Sequence, residues 1–176
     1  APAVFGGATV SWMNEETSEV GSVRLTPPDG ISPVAFIPDF ELRTAAARAA
    51  LPATVPHGDA SFNVARGALL AAVLSGNAQA SGGADLHCLL MEATRDRLHQ
   101  EQRRAAMEPS LALVDWLRGA GFAAVVSGAG PTVLSLESVG ADIRRDAAAA
   151  GWRVVPMGVA PQGVQITRGS LSKVEF

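Results

Sequence analysis

After an apolar opening, APAVFGG, that breaks at Gly6-Gly7, apolar and polar residues alternate over Ala8–Trp12. That period of two is the mark of a strand. Asn14-Glu15-Glu16-Thr17 reads as a turn, and Val20–Leu25 as the second strand of a hairpin, with Val23 and Leu25 on one face and Ser22 and Arg24 on the other. Pro27-Pro28-Asp29-Gly30 is the strongest punctuation in the chain and a candidate domain junction. Two short strands cannot enclose a core by themselves. This N-terminal piece is therefore expected to pack on something, and the chain offers it no obvious full partner sheet.

Beyond the junction, Pro33–Pro38 (PVAFIP) predicts a buried strand. Helices follow over Thr44–Leu51, stopped by Pro52, and from a cap at Asp59 to Ser75-Gly76-Asn77, with Phe62, Ala65, Leu69, Leu70, Val73 and Leu74 apolar. Another is predicted over Ala84–His99, and a further one over Ser110–Arg118 ends at Gly119. Phe122–Val126 and Thr132–Leu136 read as strands flanking SGAGP. Asp142–Ala150 is a short helix stopped by Gly151, and Trp152–Val159 is the last strand. The order β, helices, β, β, α, β predicts an α+β fold, a ferredoxin-like split βαβ sandwich with extra helices on one face.

Composition narrows the function. The 176 residues are 48% hydrophobic and 18% charged, which is globular. The net charge of -3 contains no Lys/Arg-rich run, so a nucleic-acid or anionic-membrane partner gets no support. All the basic residues but Lys173 are Arg. A P-loop of the G-x-x-x-x-G-K-[ST] kind is thereby excluded, because no Lys follows a glycine loop. Cys88 is the only cysteine and can form no internal disulfide. With His57, His87 and His99 it makes no convincing metal set. No apolar run approaches the ~20 residues of a membrane span. A start at Ala1 suits a processed secreted protein or a piece of a longer polypeptide, and composition does not separate the two.

Four segments could carry chemistry. In Ser127-Gly128-Ala129-Gly130-Pro131-Thr132, small residues and consecutive N–H groups can cradle an anion, although a hairpin turn with Gly at positive φ reads equally well. Thr44 and Arg48 share one helix face, with Thr44 placed to cap the helix start; an ordinary cap and a solvated Arg is the bland alternative. Around Gln100-Glu101-Gln102 lie Arg95, Arg97, His99, Arg103 and Arg104. They are either a solvated, acid-paired helix end or a run in which one Arg turns inward as a clamp for carboxylate or phosphate. Asn63 and Arg66, one turn apart, serve either a site or the local backbone.

Taken in order, APAVFGG, PDFELRTAAARAALP, DASFNVARGALLAAVLSG, LLMEATRDRLHQ and SGAGPTVLSL resemble the C-terminal part of homoserine kinases of the GHMP small-molecule kinase superfamily. The resemblance implies ATP-dependent phosphorylation of L-homoserine in threonine biosynthesis, in the cytoplasm, with ATP and Mg²⁺ used by the full-length enzyme and none expected for this segment alone. It also implies that Arg48 and Arg103 hold the homoserine carboxylate. Thr44 would lie near the transferred phosphate as the catalytic residue, and Ser127, Gly128, Ala129 and Gly130 would form the glycine loop.

Residues 1–28 would be trailing strands of an N-terminal kinase domain and 29–176 the C-terminal domain. The partner is then the missing N-terminal half, since the family's nucleotide loop P-x-x-x-G-L-G-S-S-A and its H-x-D-N stretch are not in this sequence. The chain alone is expected to be inactive and to self-associate, possible homodimer included, through Ala1–Leu25. The sequence departs from the family at Glu101-Gln102, where H-Q-P-Y-R is usual, and at Arg43. The competing readings are diphosphocytidyl-methylerythritol kinase, which has a similar glycine loop, a non-catalytic amino-acid-binding regulatory module, and a secreted structural protein.

Overall fold

The computed structural model describes residues 6–164. Ala1–Phe5 of the opening, Lys173 and the rest of the C-terminal end of the expected 29–176 domain lie outside the described residues. The hairpin forms where the alternation places it. β1 (Ala8–Met13) pairs antiparallel with β2 (Val20–Leu25), Val10 opposite Val23 and Ser11 opposite Ser22. Its turn is shaped by Asn14, whose Oδ1 accepts the N–H groups of Glu16 and Thr17. The ribbon meets the rest of the chain at its base: Gly7 N–H donates to the Ala160 carbonyl at 2.7 Å, and Arg24 to that of Pro161 at 2.6 Å.

A second sheet contains β3 (Val34–Ile37), β4 (Ala124–Val126), β5 (Val133–Ser135) and β6 (Arg153–Pro156). Its order is β4-β5-β3-β6, with antiparallel neighbours throughout. Each crossover, β3 to β4 and β5 to β6, therefore leaves one strand between the two it joins. This is the split βαβ arrangement expected from the order of elements. Val34, Phe36, Ala124, Val126 and Val133 pack with Leu111, Val114 and Leu117 of α4 (Glu108–Gly119) and Ala147 of α5 (Ala141–Ala149). Phe36 and Leu117 are wholly buried, each worth roughly 2–3 kcal/mol in apolar area removed from water. A smaller cluster joins α2 (His57–Leu74) to α3 (Leu86–Ala93) through Val73, Leu69, Leu70, Leu86, Leu89 and Leu90.

Several element ends differ from expectation. Arg43, not Thr44, is the N-cap of α1 (Thr44–Ala49), and no side chain caps it, so the Thr44 hydroxyl does not do so. α2 starts two residues before Asp59, at His57 after Pro56; Asp59 sits in the first turn and favours the helix through the dipole. α3 stops at Ala93 instead of His99. There Thr94 Oγ1 turns back to the Leu90 carbonyl, and Asp96 collects the N–H groups of Leu98, His99 and Gln100. Such side-chain bonds compete with the helical ladder. α4 runs on through Gly119, and the left-handed glycine after it is Gly121, at φ 89°.

No helix among the described residues is long and apolar enough to cross a membrane.

Candidate functional site

A 3-10 turn over Glu101–Ala106 sorts the arginine run. Arg103 turns inward and is only 9% exposed. Its Nη1 donates to the Gly128 carbonyl at 3.1 Å, while its buried Nε has no partner among the described residues. Arg104, the next residue, turns outward to Glu101 at 2.6 and 2.8 Å and to Asp115 at 3.0 Å. The remaining arginines are paired: Arg95 and Arg66 with Glu92, Arg97 with Asp59. The guanidinium carbons of Arg66 and Arg97 also stand 4.0 and 3.9 Å from the centre of the Phe62 ring. The run thus divides into a paired outer shell and one inward-turned arginine, Arg103.

The glycine loop links β4 to β5. Ser127 N–H donates to the Thr132 carbonyl at 2.8 Å and Gly130 N–H to that of Ser127 at 3.0 Å. Gly128 and Gly130 adopt φ of 61° and 84°. Among the described residues nothing accepts the N–H groups of Gly128 and Ala129. Gly128 and Ala129 are the central residues of this turn, so their two adjacent donors stay unpaired, as in any β-turn, and are open to a ligand.

A cavity of about 410 Å³ opens beside the loop. Asn63, His99, Gln100, Arg103 and Gly128 contribute to its polar side, and Leu70, Leu74, Val125 and Leu136 to its apolar one. Its wall is braced by Asp96. That carboxylate accepts from the Asn63 amide and from the backbone of Leu98, His99 and Gln100, while Asn63 Oδ1 accepts Arg97 N–H at 2.9 Å. Burial pushes the Asp96 carboxyl up, but the donors from Gln100, Asn63, His99 and Leu98 together hold it below the usual carboxylate range. An Arg edge, free N–H groups and apolar walls suit a small molecule carrying a carboxylate or phosphate.

Of the sequence-derived site residues, Arg103, Ser127, Gly128, Ala129 and Gly130 come together. Thr44 and Arg48 lie on α1, which packs against the turn that carries Arg103. Both are exposed, neither lines the cavity, and among the described residues the Arg48 guanidinium makes no hydrogen bond or ion pair. The sequence reading missed Gln100, Asp96 as a hub, and Ser110, whose buried hydroxyl donates to the Pro131 carbonyl at 2.6 Å. An Asp two to four residues before a run of free N–H groups was the available signal for the hub. Gln100 and Ser110 had none. Among the described residues no three His, Cys, Asp or Glu side chains gather to hold a metal. Asp96 is already committed to N–H donors, so this donor set does not suit Mg²⁺.

Residues 70–151, the stretch that holds Arg103 and the glycine loop, match the family described as "GHMP kinases C terminal".

The chain's likeness is to homoserine kinases. It is 42% identical over 167 residues to the homoserine kinase of Streptomyces coelicolor, covering 94% of this chain and 50% of the relative. With that of Clavibacter michiganensis it shares 45% identity over 138 residues, 78% of this chain and 40% of the relative. The crystal structure of homoserine kinase from Cytophaga hutchinsonii superposes with a TM-score of 0.72 at 20% identity, over 92% of this chain and 51% of that one, which shows the shared fold. The chain spans about half the length of the curated relatives it matches.

Proposed function

We propose that this chain is the substrate-side portion of a homoserine kinase, which transfers a phosphoryl group from ATP to the hydroxyl of L-homoserine and gives O-phospho-L-homoserine for threonine biosynthesis in the cytoplasm. The observation that carries the reading is Arg103: a buried guanidinium, partly unpartnered, lying under a loop with two free N–H groups. A planar guanidinium suits an amino-acid carboxylate. Arg48, unpaired on the neighbouring helix, is the second carboxylate ligand in this reading, and Thr44 approaches the transferred phosphate. Residues 1–28 then belong to an N-terminal domain and 29–176 form the C-terminal one. The nucleotide loop and the Mg²⁺ ligands come from the N-terminal half, so the segment alone is inactive. In this reading the described residues contribute a fixed orientation of the substrate against the apolar walls of the cavity.

The test is homoserine-dependent ADP formation by the full-length polypeptide or by this chain mixed with a separately made N-terminal half. Arg103→Ala is expected to raise KM for homoserine about 100-fold, the ~2–3 kcal/mol of a charge-assisted contact, with KM for ATP unchanged. A folded full-length enzyme that shows no homoserine-dependent turnover would overturn the assignment. The described residues by themselves line a cavity with Arg103 at its edge, which favours a second reading, an amino-acid-binding regulatory module. Tight homoserine or threonine binding by this chain without nucleotide, joined to the absence of turnover, would select it.

A further inference from the structure

The segment that follows α3 also grips the glycine loop. Among the described residues β4 is an edge strand, and the N–H of Val126, its last residue, has no neighbouring strand to donate to. Gln100 takes that place: its Oε1 accepts Val126 N–H at 2.7 Å. The backbone N–H of Gln100 is held by Asp96, and Asp96 by Asn63 of α2. Three residues further on, Arg103 holds the Gly128 carbonyl, and Ser110 holds that of Pro131. The loop is therefore fastened at its entry, middle and exit by side chains of one continuous stretch, residues 100–110. Of these three fastenings, the one at the entry sets where the chain leaves the sheet.

We propose that Gln100 is a positioning residue: it sets the glycine loop against Arg103, so that the loop and the guanidinium address one carboxylate- or phosphate-bearing ligand in the cavity. The kinetic half of its test rests on the kinase reading above, and the structural half does not. Gln100→Met keeps the length of the side chain and removes the acceptor, leaving a buried N–H unpaired. Gln100→Glu keeps an acceptor at the same place.

In this chain, Gln100→Met is expected to speed amide exchange of residues 126–129 about tenfold, the effect of ~1.4 kcal/mol of local opening, with β6 unchanged. Gln100→Glu should exchange like the parent. In the full-length enzyme, Gln100→Met should raise KM for the amino acid about tenfold and leave KM for ATP alone, and Gln100→Glu should restore it. A purely structural role would instead speed exchange across the whole sheet and lower apparent kcat with both KM values intact, which would overturn the proposal. So would unchanged exchange at residues 126–129. If the parent enzyme does not turn over homoserine, the kinase reading falls, and the exchange measurement alone decides the role of Gln100.

Discussion

At Gly130 two constraints coincide: a φ of 84° and a Met107 Sδ lying 2.8 Å from where a Cβ would stand. Gly128 shares only the first, since at φ 61° its Cβ would point into open space. Gly130→Ala is therefore expected to cost about 3 kcal/mol, from backbone strain plus displacement of Met107, and Gly128→Ala about 1 kcal/mol. Urea unfolding of the two variants would separate them, and equal midpoints would refute the packing argument. These glycines were readable in the sequence because positive φ strongly favours glycine, although Ser18 also adopts it, at φ 58°. Which arginine turns inward was not. Arg103 and Arg104 are adjacent and chemically identical, and only the placement of the 3-10 turn sends one to Gly128 and the other to Glu101 and Asp115.

Among the elements, α3 shows how a side chain can end a helix that periodicity would continue. Leu98 keeps the apolar pattern going, yet Asp96 offers the N–H groups of residues 98 to 100 a better acceptor than a helical carbonyl. Arg118 of α4 then closes the open end, donating to the Met91 carbonyl at 2.7 Å and to Thr94 Oγ1 at 2.9 Å. The depressed Asp96 carboxyl has a consequence for stability. A group whose folded pKa lies below its unfolded value, about 3.9 for Asp, adds stability that is fully present above that value. That contribution is lost as pH falls through the folded pKa. Asp96→Asn should cost about 2 kcal/mol near neutral pH, since an amide cannot replace all the accepted bonds. The gap between parent and variant should narrow below about pH 4. Chemical denaturation across that range is the measurement, and a gap independent of pH would contradict it.

For the molecule as a whole, the ribbon of β1 and β2 is the exposed liability. Val10, Trp12 and Val23 line one face at 44, 53 and 50% exposure, while Ser11, Ser22 and Arg24 occupy the other. Among the described residues both of its strands are edges. Apolar edge strands without partners associate. This chain is accordingly expected to self-associate with rising concentration in sedimentation, and Val10→Lys with Val23→Lys to return it to monomer. A monomeric parent at high concentration would refute this.

What the sequence determined by itself was the order of elements, and with it the split βαβ sheet, because period-two and helical patterns with Gly and Pro stops are local properties. The glycine loop and the candidate arginines were readable for the same reason. Tertiary structure decided that Arg103 is the inward one, that Asp96 ends α3, that Thr44 does not cap, and that Gln100 holds the edge of β4. The placement of Arg103 and Gln100 depends on partners 25 and 26 residues away in sequence, and the bracing of Asp96 on Asn63, 33 away. Periodicity carries no information about such partners, since a hydrogen bond across the fold is set by where the elements dock.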